Sequence, residues 1–304
     1  MDKVKLGTGS KRNTPVSIGI IGSGEVALAT ESFFSARYQT VLLDPKKTKG
    51  RSQWTLAKQK INECEWGVVC VPTPSREDGS CDIDLVEQTV GWLQTPYILL
   101  KSTVPVGTTD RLIKESGKTI VFSPLHSGDS LLDSPGFIFG GPKHATRRLI
   151  DLYISITGPM KHYRQTTARC AELVKYTENA FCSMKLAFCY EMAAVSESLG
   201  IDYYELRDLW LMDSRVSPMH TAVFEHNHEP FTGKQLPADI KALINCASEA
   251  GYKPELLEEV IKSNRRIGDM RAKAQAKRKK KSEGGVKRSP RPAPRQLEID
   301  SLLI

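Results

Sequence analysis

Two groups of residues in this 304-residue chain have the types and spacing to do chemistry. The first is Gly22-Ser23-Gly24-Glu25-Val26-Ala27, a GxGxxA string that follows the apolar run Val16-Ser17-Ile18-Gly19-Ile20-Ile21 and opens a helix-like segment. In a strand–turn–helix unit the first glycine makes the tight turn and the second lets backbone approach a pyrophosphate. The small third residue lets the helix pack on the strand. Val41-Leu42-Leu43-Asp44 then reads as a second strand ending in an acid, which can bind both ribose hydroxyls and repel a 2′-phosphate. This favours NAD over NADP, although Lys46 and Lys47 follow at once; the alternative is a glycine turn in an unrelated α/β domain. The second group is Lys175 and Asn179. They are four residues apart, hence on one face, in a stretch from Ala171 to Glu191 with no Pro or Gly. Leu173, Val174, Tyr176, Phe181, Met184, Leu186, Ala187, Phe188 and Met192 wrap much of that helix in apolar groups, so it is expected to be long and deeply buried. A buried ammonium needs a partner. Either this face opens into a site, or Lys175 is an ion-paired core residue.

The elements that must position these groups follow in order. Residues 66–71, 97–103, 119–122 and 137–141 read as further strands, with a helix over 83–92. Strands alternating with helices imply a mostly parallel, doubly wound α/β sheet of the Rossmann type, with its ligand beyond the carboxyl ends of the strands. Gly22 and Gly24, Pro72-Thr73-Pro74, Ser102-Thr103 and residues 124–129 fall at those ends. From residue 144 the pattern turns helical, with further helices over 204–213, 238–250 and 254–266. The expected organisation is a flexible N-terminus (1–14), an NAD-binding domain (15–143), an all-helical dimerisation and substrate domain (144–270), and a disordered basic tail (271–304).

Charge and composition narrow the function classes. The net charge is +8, but residues 271–304 hold 11 of the 43 Lys and Arg and three of the 35 acids, leaving 32 of each sign in residues 1–270. The basicity belongs to the tail, and the body carries no electrostatic preference. No apolar run reaches membrane-spanning length, and residues 1–15 lack the apolar core of a signal, so a cytoplasmic protein with no membrane partner is expected. Seven Cys without a CxxC pair read as reduced thiols, and His220, His226 and His228 lack the spacing of a metal site; no metal is expected.

Five strings together resemble the UDP-glucose/GDP-mannose dehydrogenase family of nucleotide-sugar oxidoreductases. They are the glycine turn, Val71-Pro72-Thr73-Pro74, Ser102-Thr103-Val104-Pro105-Val106-Gly107-Thr108-Thr109, the helix from Ala171 to Phe181, and Pro237-Ala238-Asp239-Ile240-Lys241-Ala242-Leu243. They lie in the family's order. The resemblance implies an NAD-dependent oxidoreductase acting on CH–OH groups, oxidising a sugar primary alcohol to a carboxylate with two NAD. It assigns NAD contacts to Gly22, Gly24, Glu25, Val26, Asp44, Pro72, Thr73, Ser102 and Thr103. Lys175 and Asn179 would stabilise the developing oxyanion. Thr103 would help hold a water, with Asp239 in the same network. Arg215 resembles an arginine that reaches a dimer partner's site, and His126 lies in the loop where the family keeps catalytic groups.

The departures are as informative. Anchored on Pro237 and Asp239, the family's nucleophilic Cys falls at Gln235, and an amide forms no thioester. In the Pro124-Leu125-His126-Ser127-Gly128-Asp129 loop the first family acid is Leu125, and the second survives as Asp129. The resemblance ends near Asn264, before the family's UDP-binding domain would begin. Three readings stay open: a single alcohol–carbonyl interconversion, as in the related β-hydroxyacid dehydrogenases; a four-electron oxidation through an aldehyde hydrate held by Asp129 and Thr103; or a cofactor-binding relic with another role. For the last, the tail offers a means. Lys277-Arg278-Lys279-Lys280-Lys281 and Lys287-Arg288 suit a nucleic-acid backbone. The apolar end, Gln296-Leu297-Glu298-Ile299-Asp300-Ser301-Leu302-Leu303-Ile304, loosely resembles peptides that tether phage or bacterial enzymes to a sliding clamp.

Overall fold

The computed structural model describes residues 16–45, 47–125, 131–223, 231 and 235–283. The chain begins with β1 (Ser17–Ile21), α1 (Glu25–Ser35), β2 (Gln39–Leu43), α2 (Arg51–Asn62), β3 (Trp66–Val69), α3 (Asp84–Trp92), β4 (Tyr97–Leu100), α4 (Thr108–Ser116) and β5 (Ile120–Phe122). β6 (Gly136–Gly140), α5 (Lys143–Thr157) and β7 (His162–Thr166) complete a seven-stranded sheet of order β2-β1-β3-β4-β5-β6-β7. All neighbours are parallel except β5 and β6. Helices on both faces explain why the central strands read as unbroken apolar runs. Successive residues point to opposite faces. Ile18, Ile20, Val68 and Leu99 join Phe33, Phe34 and Tyr153 under α1 and α5. Ile21, Val69 and Leu100 join Ile61, Val90 and Leu112 under α2, α3 and α4.

The sheet unit therefore reaches Thr166, not residue 143. Tyr153 of α5 is fully buried against Phe33, Phe137 and Phe139, and β7 pairs along the whole length of β6.

α6 (Ala168–Ser198) is a 31-residue helix, about 46 Å long at the usual rise. Its start is capped by the Thr167 hydroxyl, which accepts from the Cys170 amide at 3.2 Å. The first half packs on β5, β6 and α4; the second half packs on α7 (Tyr203–Trp210), α8 (Gln235–Glu249) and α9 (Glu255–Glu283). Ala180 and Ala187 meet Phe231, Ile240 and Val260 there. Asn264 ties α9 to residue 231, its carbonyl accepting from the Phe231 amide at 3.0 Å and its amide donating to the Phe231 carbonyl at 3.1 Å. Two expectations need correction. α6 is not buried all round, because Leu173, Phe181 and Phe188 are 43%, 58% and 48% exposed along one side. α9 also continues through 271–283, well past the end expected near 266. No described helix is long and apolar enough to cross a membrane.

Candidate active site

At the carboxyl end of β1 the chain turns at Gly22 with φ +141°, and a Cβ there would lie 2.2 Å from the Cys70 carbonyl oxygen. Only glycine fits. Gly24 precedes the first turn of α1 in extended backbone with no side-chain cap, and a Cβ on it would meet nothing within 4 Å. The exposed turn at Gly24 and Glu25, with Val26 behind it, thus offers first-turn amides and open space to an anion. Asp44 closes the next strand, with Lys47 3.7 Å from its carboxylate. These residues fit a dinucleotide: phosphates on the α1 amides, ribose on Asp44. The other expected cofactor contacts line the same edge. Pro72 and Thr73 follow β3, and Ser102 and Thr103 follow β4. The Ser102 hydroxyl donates to the Val71 carbonyl at 2.7 Å, which holds these two loops together.

Lys175 and Asn179 come to this edge from α6, each only 4% exposed. The Lys175 ammonium donates to the Leu125 carbonyl, just past β5, at 2.9 Å. The Asn179 amide donates to an Asp239 carboxylate oxygen on α8. Asp239 is 7% exposed. Burial pushes its carboxyl up, against the pull of Asn179 and of the Lys175 charge. Burial pushes Lys175 down, and the carboxylates of Glu178 and Asp239 hold it up in part. The chain thus gathers an ammonium, an amide and a carboxylate in one water-poor cluster, where such charges act strongly. β5 lies three strands from β1 in the sheet, about 14 Å at ordinary strand spacing. The cluster and the glycine turn therefore share one edge, along which a dinucleotide lies in this fold class.

The sequence had not singled out three residues here. The Cys81 thiol lies 3.9 Å from the Thr73 carbonyl and 3.8 Å from the Thr103 carbonyl, between the two loops. Burial raises its pKa, so it stays a thiol. The Tyr176 hydroxyl is buried beside it, facing the thiol. Glu172, also fully buried, holds the start of α4. No composition signal marks them, but Glu172, Tyr176 and Asn179 share a helical face with Lys175.

Other expected residues stand apart. Arg215, on the turn after α7, is exposed, and its described hydrogen bonds all go to Asp213, the shortest at 2.6 Å. Gln235 is the first residue of α8, and its side chain lies outside the described residues, as do His126 and Asp129. Among the described residues no group of three or more His, Cys, Asp or Glu could hold a metal.

The NAD binding domain of the UDP-glucose/GDP-mannose dehydrogenase family matches residues 42–124, and the family's central domain matches residues 169–266. The chain belongs to this family. Residues 42–124 match the family's NAD-binding domain, and NAD is the chain's cofactor. UDP-glucose 6-dehydrogenase TuaD of Bacillus subtilis is 29% identical over 215 residues, covering 64% of this chain and 45% of that protein. UDP-glucose 6-dehydrogenase of Pseudomonas aeruginosa is 30% identical over 228 residues, covering 68% of this chain and 49% of that one. The chain spans about half the length of these relatives. The structure of UDP-D-ManNAc dehydrogenase from Pyrococcus horikoshii superposes with a TM-score of 0.73 at 21% identity, covering 88% of this chain and 72% of that one, a likeness of fold.

Proposed function

We propose that this protein is an NAD-dependent dehydrogenase of a nucleotide sugar that carries out one hydride transfer, without a thioester step. The supporting observation is the buried Lys175–Asn179–Asp239 cluster at the sheet edge that carries the glycine turn. Bound NAD supplies the hydride acceptor. Lys175 and Asn179 hold the sugar oxygen and stabilise the negative charge that grows on it as its proton leaves. Asp239, its carboxyl raised by burial, takes that proton. Thr103 helps hold a water in the same network as Asp239, and Asp129 supplies a further carboxylate. His126 and Gln235 bind the rest of the substrate, and Arg215 reaches the substrate held by a dimer partner. Without a thiol at residue 235 the carbonyl product has no covalent route to the acid. Purified protein with NAD and a panel of UDP- and GDP-sugars should raise the near-ultraviolet absorbance of NADH. One NADH per sugar supports this reading, two would support the hydrate route, and none would refute both.

The active form is a homodimer. The open side of α6, with Leu173, Val174, Thr177 and Phe181 lining an apolar hollow, suits the same face of a second copy around a two-fold axis.

A second reading rests on α9, whose last described residue, Glu283, lies well beyond the buried Ile267 and whose final turns enter the basic segment. Here the protein is a relic that binds nucleic acid or a clamp through residues 271–304, in DNA or sugar modification. Removing residues 296–304 tests the clamp contact. A steep fall of DNA affinity with salt, abolished when the lysines of 277–281 are neutralised, tests the other.

A further inference from the structure

The first turn of α4 poses a capping problem. Its N-cap is Gly107, at φ +96°, which has no side chain to accept the amides that open the helix. They are accepted from elsewhere. Glu172 of α6 is 0% exposed, and its two carboxylate oxygens take the Gly107 amide at 2.5 Å and the Thr109 amide at 2.8 Å. A carboxylate at a helix N-terminus meets the positive end of the dipole, and buried acids persist only when hydrogen-bonded in this way. Along one face of α6, successive turns thus grip three separate segments: Glu172 the start of α4, Lys175 the end of β5, and Asn179 the side of α8. Residues 102–107 run from β4 to the Glu172 grip, with Ser102 held to the Val71 carbonyl and the Cys81 thiol against the Thr103 carbonyl at the β4 end.

We infer that Glu172 is a positioning residue: by closing the α4 N-terminus onto α6 it sets the gap between the Ser102–Thr103 loop and Lys175, and so where the nicotinamide end of the cofactor can rest. This rests on the dehydrogenase reading above for its effect on turnover, but not for its effect on the loop. The glycine turn and Asp44 lie far along the sheet edge, so the grip should govern the reacting end of the dinucleotide and leave the adenosine end alone.

The test uses full-length protein carrying Glu172→Gln, which keeps volume but turns an amide donor toward a backbone N–H. Glu172→Asp, one methylene short yet still a carboxylate, serves as a milder variant should the first not fold. NADH titration should give one site per chain in each, with affinity changed less than about threefold. Hydrogen exchange in residues 101–111 should quicken about tenfold in Glu172→Gln and less in Glu172→Asp. Bound NADH should protect that segment in the parent protein and not in Glu172→Gln. With a sugar that is turned over, kcat should fall at least about tenfold while KM for NAD stays level. Equal exchange and equal NADH protection in parent and variant would overturn the inference, as would faster exchange with unchanged kcat. If the parent turns over no sugar, the dehydrogenase reading fails by itself, and NADH protection of residues 101–111 still decides the role of Glu172.

Discussion

Replacing Asp239 by Ala should both weaken the fold and move the titration of Lys175. The carboxylate is 7% exposed and accepts the Asn179 amide, and hydrogen bonds to a charged group in such a setting are worth about 1.5–3 kcal/mol net. At roughly 2–4 °C per kcal/mol for a unit of this size, Tm should fall by about 3–12 °C. The Asp239 charge is also one of those that hold Lys175 up against burial. Its removal should push the Lys175 pKa still further below the model-peptide value of 10.5. The sign is fixed: a lysine with a depressed pKa keeps its ammonium only below that value and loses it as pH rises. The amine should therefore turn nucleophilic at lower pH in the variant. Calorimetry gives Tm, and mass spectrometry of Lys175 acetylation across a pH series gives the titration without needing turnover. Asp239→Asn keeps volume and an acceptor for Asn179 but no charge, so it should recover most of Tm and none of the pH shift. A Tm change under about 1 °C with superimposable acetylation profiles would refute the coupling of these three residues.

Further predictions concern turnover and assembly. Lys175→Ala should lower kcat by about 10²–10³, the usual cost of one oxyanion donor, while NADH affinity stays near that of the parent. Because Lys175 loses its ammonium as pH rises, kcat should fall on the alkaline side, and Lys175→Arg, which does not titrate in this range, should erase that fall; a fall that persists would place its origin elsewhere. Phe181→Glu puts a charge on a side chain 58% exposed on the open side of α6, so light scattering should show a dimer become a monomer without loss of helix content. An unchanged mass would remove that face as the contact. Gln235→Cys should raise the yield from one NADH per sugar toward two, and an unchanged yield would show that more than a thiol is missing.

Much of this site could be read from residue order because its parts are chemically stereotyped. Gly22 is required by the Cys70 carbonyl, and the central strands are apolar because both faces are covered. β7, His162-Tyr163-Arg164-Gln165-Thr166, could not be read so: it is an edge strand, every residue half-buried or exposed, and needs no apolar run. With it went α5, which shifted the expected domain boundary. Glu172 was hidden for a different reason. An acid in a helix ordinarily faces water, and only the capless Gly107, distant in sequence, gives it a reason to be inside. The bare side of α6 was also illegible, since apolar residues at helical spacing look alike whether a core or a second copy covers them.

The origin of the hydride tests most directly whether Lys175 and Asn179 face a sugar alcohol. NAD incubated with the protein and a UDP-sugar deuterated at the primary alcohol carbon should yield NADH carrying one deuterium, and Lys175→Ala should yield almost none. Unlabelled NADH, or no NADH with any nucleotide sugar, would contradict the claim that Lys175 and Asn179 hold a sugar oxygen beside the bound cofactor.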